Sequence, residues 1–373
     1  MVRSPFARLA RLLVAAAVAA PVAAVVLAAS PGPAAAAVPD QWGFAYMNVP
    51  APPPGGAILD PTRSWGSWKI LFPADPVRVF PGGGPGRYRV LFPHTASTRG
   101  FAHVTAVAGD ARWCQIELIT PSGTDQIVAV QCYRNGGVPD NTTFTVVYST
   151  SSGGAAFLGG AHAYVKGNPG GGIAYGFNST GAALASVRLA AGVYRVTLAG
   201  VGTGVLDGNL QVTAEQPNLP PRRCKVANWA ASGPTTYDVL VYCHNQANVL
   251  TDSWFYLSYH RKRAVWGGLA PPDNIAYLWL PGLGGPTDYN SAGCVNSVIA
   301  SGPVGQYLVV FRCVAIRESH VQVTAFGPSP DYCGLQSVWS YQGPDVLVRN
   351  VICWNGAGAL ANNRFFVTYA SRI

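Results

Sequence analysis

The sequence repeats three times at intervals of roughly 100 residues, and this repeat restricts the fold more than any other feature. A Gly-x-Tyr-x-Val pentapeptide occurs at 86–90, 192–196 and 305–309. An Ala-Tyr dipeptide precedes each copy and a Val-Thr-Ala (V-T-A) tripeptide follows it, the tripeptides lying at 104–106, 212–214 and 323–325. The chain therefore divides into three homologous units: unit 1 (41–150), unit 2 (160–262) and unit 3 (273–373).

The end of each unit repeats most strictly. A Cys-x11-Phe-x3-Tyr pattern recurs without a gap, as Cys132, Phe144, Tyr148; Cys243, Phe255, Tyr259; and Cys353, Phe365, Tyr369. Fixed spacing over three copies indicates that the units share one order of structural elements.

Each unit is predicted to consist of β-strands. Segments such as YRVLF (88–92), HVTAV (103–107) and FTVVY (144–148) alternate or run apolar, and Gly, Pro, Asn or Ser bounds them. The 43 Gly and 30 Pro leave few windows for a helix. About 100 residues with turn signals every ten or so suit one antiparallel sandwich. The predicted fold class is all-β, with three tandem antiparallel β-sandwich-like modules.

The N-terminus predicts export. A basic head with Arg3, Arg8 and Arg11 precedes an apolar segment, and small residues follow up to Ala37. This order is typical of a secretory signal peptide, predicted over 1–37, with a retained membrane anchor as the alternative. The mature protein is expected to be secreted, without a membrane span.

Export determines how the eight cysteines are interpreted, because disulfides persist outside the cytosol. Each unit places two cysteines in consecutive predicted strands, and unit 3 adds a second pair near its middle. We predict four bridges, each inside its own unit: Cys114–Cys132, Cys224–Cys243, Cys333–Cys353 and Cys294–Cys313.

The repeat resembles a family of secreted bacterial proteins. Its members, uncharacterised β-repeat proteins of the actinobacterial type, combine an alanine-aromatic start, an Asn-Ser-x-Gly element, the G-x-Y-x-V and V-T-A strands and a paired-cysteine hairpin. Here the Asn-Ser-x-Gly element lies in FNSTG (177–181) and YNSAG (289–293), while unit 1 has RSWG (63–66) instead. The resemblance covers the mature chain and implies a β-repeat architecture, but no activity.

The charge pattern argues against nucleic acid as a partner. The net charge is +9, only 11% of residues are charged, and basic stripes are absent from the sequence. The densest basic run, 260–263, begins the segment that joins units 2 and 3. A modest positive bias is compatible with an anionic wall polymer.

The sequence offers no catalytic motif. Nucleophile elbow, metalloprotease, Walker and EF-hand signatures are missing, and Glu117, Glu215 and Glu318 are its three glutamates. We predict no catalytic residue, metal or cofactor, and leave enzymatic activity open while favouring none. The six histidines occupy different repeat positions and are interpreted as scattered surface residues; His103 aligns with Gln211 and Gln322, and His244 with Tyr133 and Trp354.

Two tryptophans are the candidate ligand-binding residues. Trp65 and Trp68 lie in RSWGSW, a predicted turn without a counterpart in the other units. Exposed rings there would stack on sugars, whereas core packing is the alternative, since large aromatic residues are mostly buried.

Three functional hypotheses follow. The first is a non-catalytic extracellular binding or surface-interaction protein, with a cell-wall polysaccharide, another glycan or an anionic wall polymer as partner and with avidity from repeated modules. The second is a hydrolase with a site assembled on one module. The third is a purely structural envelope or matrix component.

Overall fold

A computed structural model describes residues 40–150, 160–218, 220–281 and 287–372. The predicted signal peptide lies outside the described residues. Within them, no helix has both the length and the apolar composition to cross a membrane.

The described part of the chain consists of strands and two short 3₁₀ helices, which confirms the all-β prediction. Unit 1 contains the 3₁₀ helices Pro61–Arg63 and Ser67–Ile70 and the strands β1 Trp42–Met47, β2 Ala57–Ile58, β3 Ser64–Gly66, β4 Arg78–Pro81, β5 Arg87–Phe92, β6 Phe101–Val107, β7 Arg112–Ser122, β8 Asp125–Arg134, β9 Val138–Pro139 and β10 Thr143–Ser149. Unit 2 contains β11 Ala161–Gly167, β12 Ile173–Asn178, β13 Leu184–Ala190, β14 Val193–Leu198, β15 Asn209–Glu215, β16 Arg222–Gly233, β17 Thr236–Asn245 and β18 Trp254–Arg261. Unit 3 contains β19 Asn274–Leu280, β20 Thr287–Asn290, β21 Ser297–Ala300, β22 Gln306–Phe311, β23 Ser319–Phe326, β24 Tyr332–Leu335, β25 Ser340–Gln342, β26 Asp345–Trp354 and β27 Arg364–Ser371.

The repeated Gly-x-Tyr-x-Val motif has a specific structural role, seen in unit 1. Gly86 has φ +67°, and a Cβ there would lie 2.5 Å from the carbonyl oxygen of Cys132, so the turn requires glycine. Its N–H donates to Oδ1 of Asn141 at 2.8 Å, and the hydroxyl of Tyr88 accepts from the N–H of Thr142 at 2.9 Å. The motif therefore ties the start of a strand to the loop before the last strand of its unit.

Units 2 and 3 repeat these contacts. Gly192 and Gly305 also have positive φ, and their N–H groups donate to side-chain oxygens of Asp252 and Asn362 at 2.8 and 2.9 Å. Repetition of the sequence thus corresponds to repetition of the hydrogen bonds.

The described strands form three sheets, and each sheet draws its strands from two units. One joins β21, β22, β26 and β24 of unit 3 to β6, β10, β1 and β3 of unit 1, with β25 paired to β26. The second joins β12, β11, β18 and β15 of unit 2 to β7, β8, β5, β4 and β2 of unit 1, with β9 paired to β8. The third joins β13, β14, β17 and β16 of unit 2 to β23, β27, β19 and β20 of unit 3.

The sheets are continuous through three equivalent parallel junctions. In each, the strand carrying V-T-A in one unit meets the first strand of the cysteine hairpin of another at a single pair: Val107 with Leu335, Glu215 with Ile116, and Phe326 with Val226. Unit 1 is thereby joined to unit 2, unit 2 to unit 3, and unit 3 back to unit 1. The modules are arranged cyclically around a central axis.

The four predicted disulfides are confirmed, all inside their own units. Three cross the equivalent hairpins with Cα atoms 4.0 Å apart: Cys114–Cys132, Cys224–Cys243 and Cys333–Cys353. The fourth, Cys294–Cys313, joins the segments on either side of the β21–β22 pair with Cα atoms 6.2 Å apart.

Candidate functional site on the central axis

The three V-T-A threonines meet at the axis and bind one another's strands in a cycle. The hydroxyl of Thr105 accepts from the N–H of Val323 at 3.0 Å, and that of Thr324 from Val212 at 3.1 Å. The hydroxyl of Thr213 accepts from Val104 at 3.4 Å and closes the cycle. We call these three threonines the threonine ring.

The residue before each V-T-A completes the ring with a side-chain contact. Thr324 donates to Oε1 of Gln211 at 2.8 Å, and Thr105 donates to Oε1 of Gln322. In unit 1 a histidine takes the glutamine's place, and Nδ1 of His103 lies 3.1 Å from the hydroxyl of Thr213. All three interfaces between units thus carry an equivalent buried polar pair.

The interpretation of the histidines as surface residues is wrong for five of the six. His103, His162, His244, His260 and His320 are at most 3% exposed. They are buried because they lie on strands facing other units, where hydroxyls meet them: His103 contacts Ser258 at 2.8 Å, His320 contacts Thr145 at 2.9 Å and His260 contacts Thr368 at 3.1 Å. Hydrogen bonds make the burial of these polar rings tolerable.

Burial keeps these rings neutral. Desolvation lowers the pKa of His103 to about 3 and that of His162 to about 4. The same cause lowers the pKa of His260 and His320 well below the usual value, and neighbouring histidines add to it. An imidazolium would place an unsolvated charge between the units.

A cavity of about 60 Å³ lies beside the threonine ring. All three V-T-A tripeptides line it, as do the first cysteine of each hairpin and the residues next to it, Trp113, Arg223, Lys225 and Tyr332. His244, Pro330 and Asp331 complete the lining. Because every unit contributes, this axial cavity exists only when the cycle of modules is closed.

Three side chains at one repeat position, the residue before the first hairpin cysteine, converge at this cavity. Trp113, Arg223 and Tyr332, here called the axial triad, are each less than 9% exposed. The guanidinium carbon of Arg223 lies 4.5 Å from the ring centre of Trp113 and 4.4 Å from that of Tyr332. The guanidinium is therefore held between two aromatic rings, which attract it through their π-systems.

Unit 2 departs from the other units at this position. The residue opposite Trp113 in its hairpin is Tyr133, and the residue opposite Tyr332 is Trp354. In unit 2 the corresponding pair is Arg223 and His244. A basic pair thus replaces an aromatic pair in one module only.

Arg223 is incompletely hydrogen-bonded. Its Nη2 donates to Oδ1 of Asn248 and, at 3.5 Å, to the carbonyl oxygen of Pro330. Its Nε and Nη1 are buried and have no hydrogen-bond partner among the described residues. Desolvation lowers the pKa of Arg223 to about 10, so the guanidinium remains charged near neutrality.

Lys225 lies two residues further along the same strand and is also buried. Its amine donates to the carbonyl oxygens of Ser329 and Asp331 at 2.9 and 3.0 Å. Burial lowers its pKa to about 7; the charge of Asp331 opposes this effect, and the charges of Arg223 and Arg364 add to it. Neither Arg223 nor Lys225 forms an ion pair within 4.0 Å with a carboxylate in the described ranges.

The two tryptophans predicted to bind a ligand lie elsewhere. Trp68 is 3% exposed in the core of unit 1, and its Nε1 donates to the carbonyl oxygen of Asp75 at 2.9 Å. It therefore presents no ring face to a ligand. Trp65 is half-buried against the same core, with Nζ of Lys69 5.9 Å from its ring centre. Ligand binding by Trp65 stays a prediction.

Sequence reasoning missed Arg223 and Lys225, although a signal was present. Aligning the residue before each first cysteine sets Arg223 against Trp113 and Tyr332, and that alignment would have identified the substitution. Among the described residues, no group of three or more metal-ligating side chains is gathered. No protein-family model, curated protein or solved structure matches the chain.

Proposed function

We propose that this chain is a secreted, disulfide-stapled binding protein without catalytic activity, and that it recognises its ligand at the axial cavity. The observation that carries this proposal is the replacement of an aromatic pair by Arg223 and His244 in one module of an otherwise repeated structure. A purely structural axis would be served by a third aromatic pair.

The chemistry of the lining favours binding over turnover. Oδ2 of Asp331 accepts from the hydroxyl of Ser329 at 2.8 Å, and Lys225 donates to two carbonyl oxygens. Burial together with the charges of Lys225 and Arg223 lowers the pKa of His244 to about 4, so this imidazole is neutral and a poor proton donor at neutral pH. These groups are engaged in holding the cavity.

The partner we propose is an extracellular glycan or anionic wall polymer whose end group enters the cavity. Four disulfides suit an oxidising compartment. A cavity of about 60 Å³ accommodates an end group.

Pull-down of the mature protein on peptidoglycan, chitin, cellulose and whole cells tests this proposal. We expect retention on at least one polymer, lost in Ala214→Leu or Ala325→Leu, which fill the cavity from two sides, and kept in Trp65→Ala. Circular dichroism checks that the variants fold. Retention that depends on Trp65 alone would contradict the assignment of the site. Substrate turnover would favour the hydrolase, and an absence of retention would favour a structural component.

A further inference from the structure

We propose that the ligand group held in the axial cavity is a small oxyanion, a carboxylate or a phosphate, bound by Arg223 and Lys225. This inference rests on the proposed function, because it assigns the chemistry of the same site. It follows from three properties of the cavity: its charge, its free hydrogen-bond donors and its size.

The charge around the cavity is unbalanced. Arg223 is 8% exposed and Lys225 is 4% exposed, and both lack an ion-pair partner among the described residues. Burying a charge without a counter-charge is costly. Asp331, the acid in the lining, lies beyond 4.0 Å ion-pair distance of both cations, but its charge raises the pKa of each, so this single acid partly balances two buried basic groups. An anion in the cavity would offset this cost.

The free hydrogen-bonding groups are donors. Nε and Nη1 of Arg223 carry three of the five N–H groups of a guanidinium, and they lack partners among the described residues. Nε1 of Trp113 and the hydroxyl of Tyr332 are likewise buried without a partner there. These atoms have almost no accessible surface, so an oxyanion would bond to them only after a small rotation of the side chains. Arg recognises carboxylate and phosphate particularly well.

The volume limits the ligand to a small group. A cavity of about 60 Å³ is well above the roughly 15 Å³ that one water needs, so it accommodates a group of a few non-hydrogen atoms. A carboxylate or phosphate group has this size. The oxyanion is either a free ion or the end group of a longer molecule.

Isothermal titration calorimetry at constant ionic strength tests the proposal, with sodium phosphate, sulfate and acetate as probes and chloride as the reference anion. We expect at least one oxyanion to bind. Arg223→Trp combined with Lys225→Gln introduces the residues that unit 1 has at these positions, Trp113 and Gln115, and should weaken binding at least about tenfold. Arg195→Gln, which removes an exposed arginine of unit 2, should leave the affinity unchanged.

Two further measurements make the test decisive. Arg223→Lys retains the charge and should restore part of the affinity lost in Arg223→Tyr. Because a protonated Lys225 favours an anion, binding of sulfate, whose charge is constant over this range, should be stronger at pH 6 than at pH 8, and Lys225→Gln should remove that difference. The charges of Asp331, Arg223 and Arg364 and the imidazole of His244 act on the Lys225 amine. The absence of binding by every oxyanion, or equal binding by the unit-1-like variant, would overturn the proposal.

A comparison of two ligand sources completes the design. Phosphate and acetate represent free ions, whereas a uronate oligosaccharide and a phosphate-linked polyol fragment represent polymer ends. Tighter binding of the polymer fragments identifies an end group, and equal binding identifies a free ion. If a neutral glycan binds and Ala214→Leu blocks it while oxyanions do not bind, this inference fails and the proposed function stands.

Discussion

The threonine ring and the axial triad lie next to each other on one axis, but the ring has the same residue in all three units and the triad does not. The ring keeps its threonine in all three units, and each hydroxyl meets the same backbone N–H of the next unit in the cycle. The triad replaces one of its aromatic residues by Arg223. The ring has to close three equivalent interfaces, so identical contacts serve it. The triad borders a cavity, and there Arg223 supplies a positive charge that a third aromatic residue would not supply.

From this difference we expect the threonine ring to contribute to stability and Arg223 to contribute to ligand recognition. Hydrogen bonds of the ring have no substitute once the units are packed, so their loss leaves buried polar groups unpaired. Arg223 carries a buried charge that an aromatic residue would not carry, so its replacement should cost little stability. The predictions below test this separation.

The largest effect should come from acid, through the histidines around the ring. The lowered pKa values mean that the folded chain stays unprotonated while the unfolded chain, with an ordinary histidine pKa of about 6.5, takes up protons. Stability is therefore full above pH 6.5 and falls as the pH decreases toward 4. At pH 4.5 His103 and His162 should each cost roughly 2.7 kcal/mol, and His260 and His320 add to this loss in the same direction. Urea unfolding at pH 7.5, 6.5 and 4.5 measures this loss.

His103→Gln is the matched control for acid sensitivity, because Gln211 and Gln322 occupy the same position in the other units. This variant should retain most of its stability at pH 7.5 and lose roughly 2–3 kcal/mol less than the parent between pH 6.5 and 4.5. An unchanged pH dependence would show that His103 does not titrate with unfolding.

The next largest loss of stability should come from removing a disulfide near the axis, and a disulfide at the periphery provides the comparison. Cys224–Cys243 and Cys294–Cys313 both span 19 residues, so the chain-entropy contribution is about 3 kcal/mol for each. Cys224 and Cys243 are buried, whereas Cys313 is exposed. Replacing both cysteines by alanine should therefore lower the free energy of unfolding more for Cys224–Cys243 than for Cys294–Cys313. Because the chain-entropy contributions are equal, the difference between the two double variants in denaturant unfolding measures the contribution of packing. An equal loss would contradict the importance of the axial site.

Removal of one ring hydroxyl should have a smaller effect. Thr324→Val leaves Oε1 of Gln211 and the N–H of Val212 without this partner, and we expect a loss of roughly 2 kcal/mol in the free energy of unfolding. Thr197→Val provides the control, since this threonine bonds Asp238 on a half-buried face and its loss should cost under about 1 kcal/mol. Similar losses for both variants would refute a special role for the ring.

The smallest effect on stability is expected at the triad. Arg223→Tyr copies unit 3 and should leave the free energy of unfolding within about 1 kcal/mol of the parent, in either direction, because the lost contacts and the removed buried charge oppose each other. Thermal unfolding without added ligand measures it. A loss as large as that of Thr324→Val would indicate that Arg223 holds the axis together.

Local sequence predicted the strand content and the cysteine pairs well. Gly86, Gly192 and Gly305 mark turns because only glycine fits positive φ against a neighbouring carbonyl, and this requirement is readable from the sequence. Trp68 and His103 show the limit of such reasoning. A tryptophan in a turn and a histidine in a strand do not reveal whether a core or another unit covers them.

The sequence by itself determined that the chain is built of β-strands, that it contains three copies of one unit, and which cysteines pair. The strands and the cysteine pairs depend on side-chain alternation and on spacings within about 20 residues, which short segments encode. The three copies are visible because the same motifs recur at intervals of roughly 100 residues. Tertiary structure alone decided that each sheet joins two units, that the cycle closes, and that Arg223 lies between Trp113 and Tyr332 beside a cavity. Each junction is a single residue pair between strands far apart in the chain, such as Val107 and Leu335, and so few contacts leave no periodic pattern in the sequence.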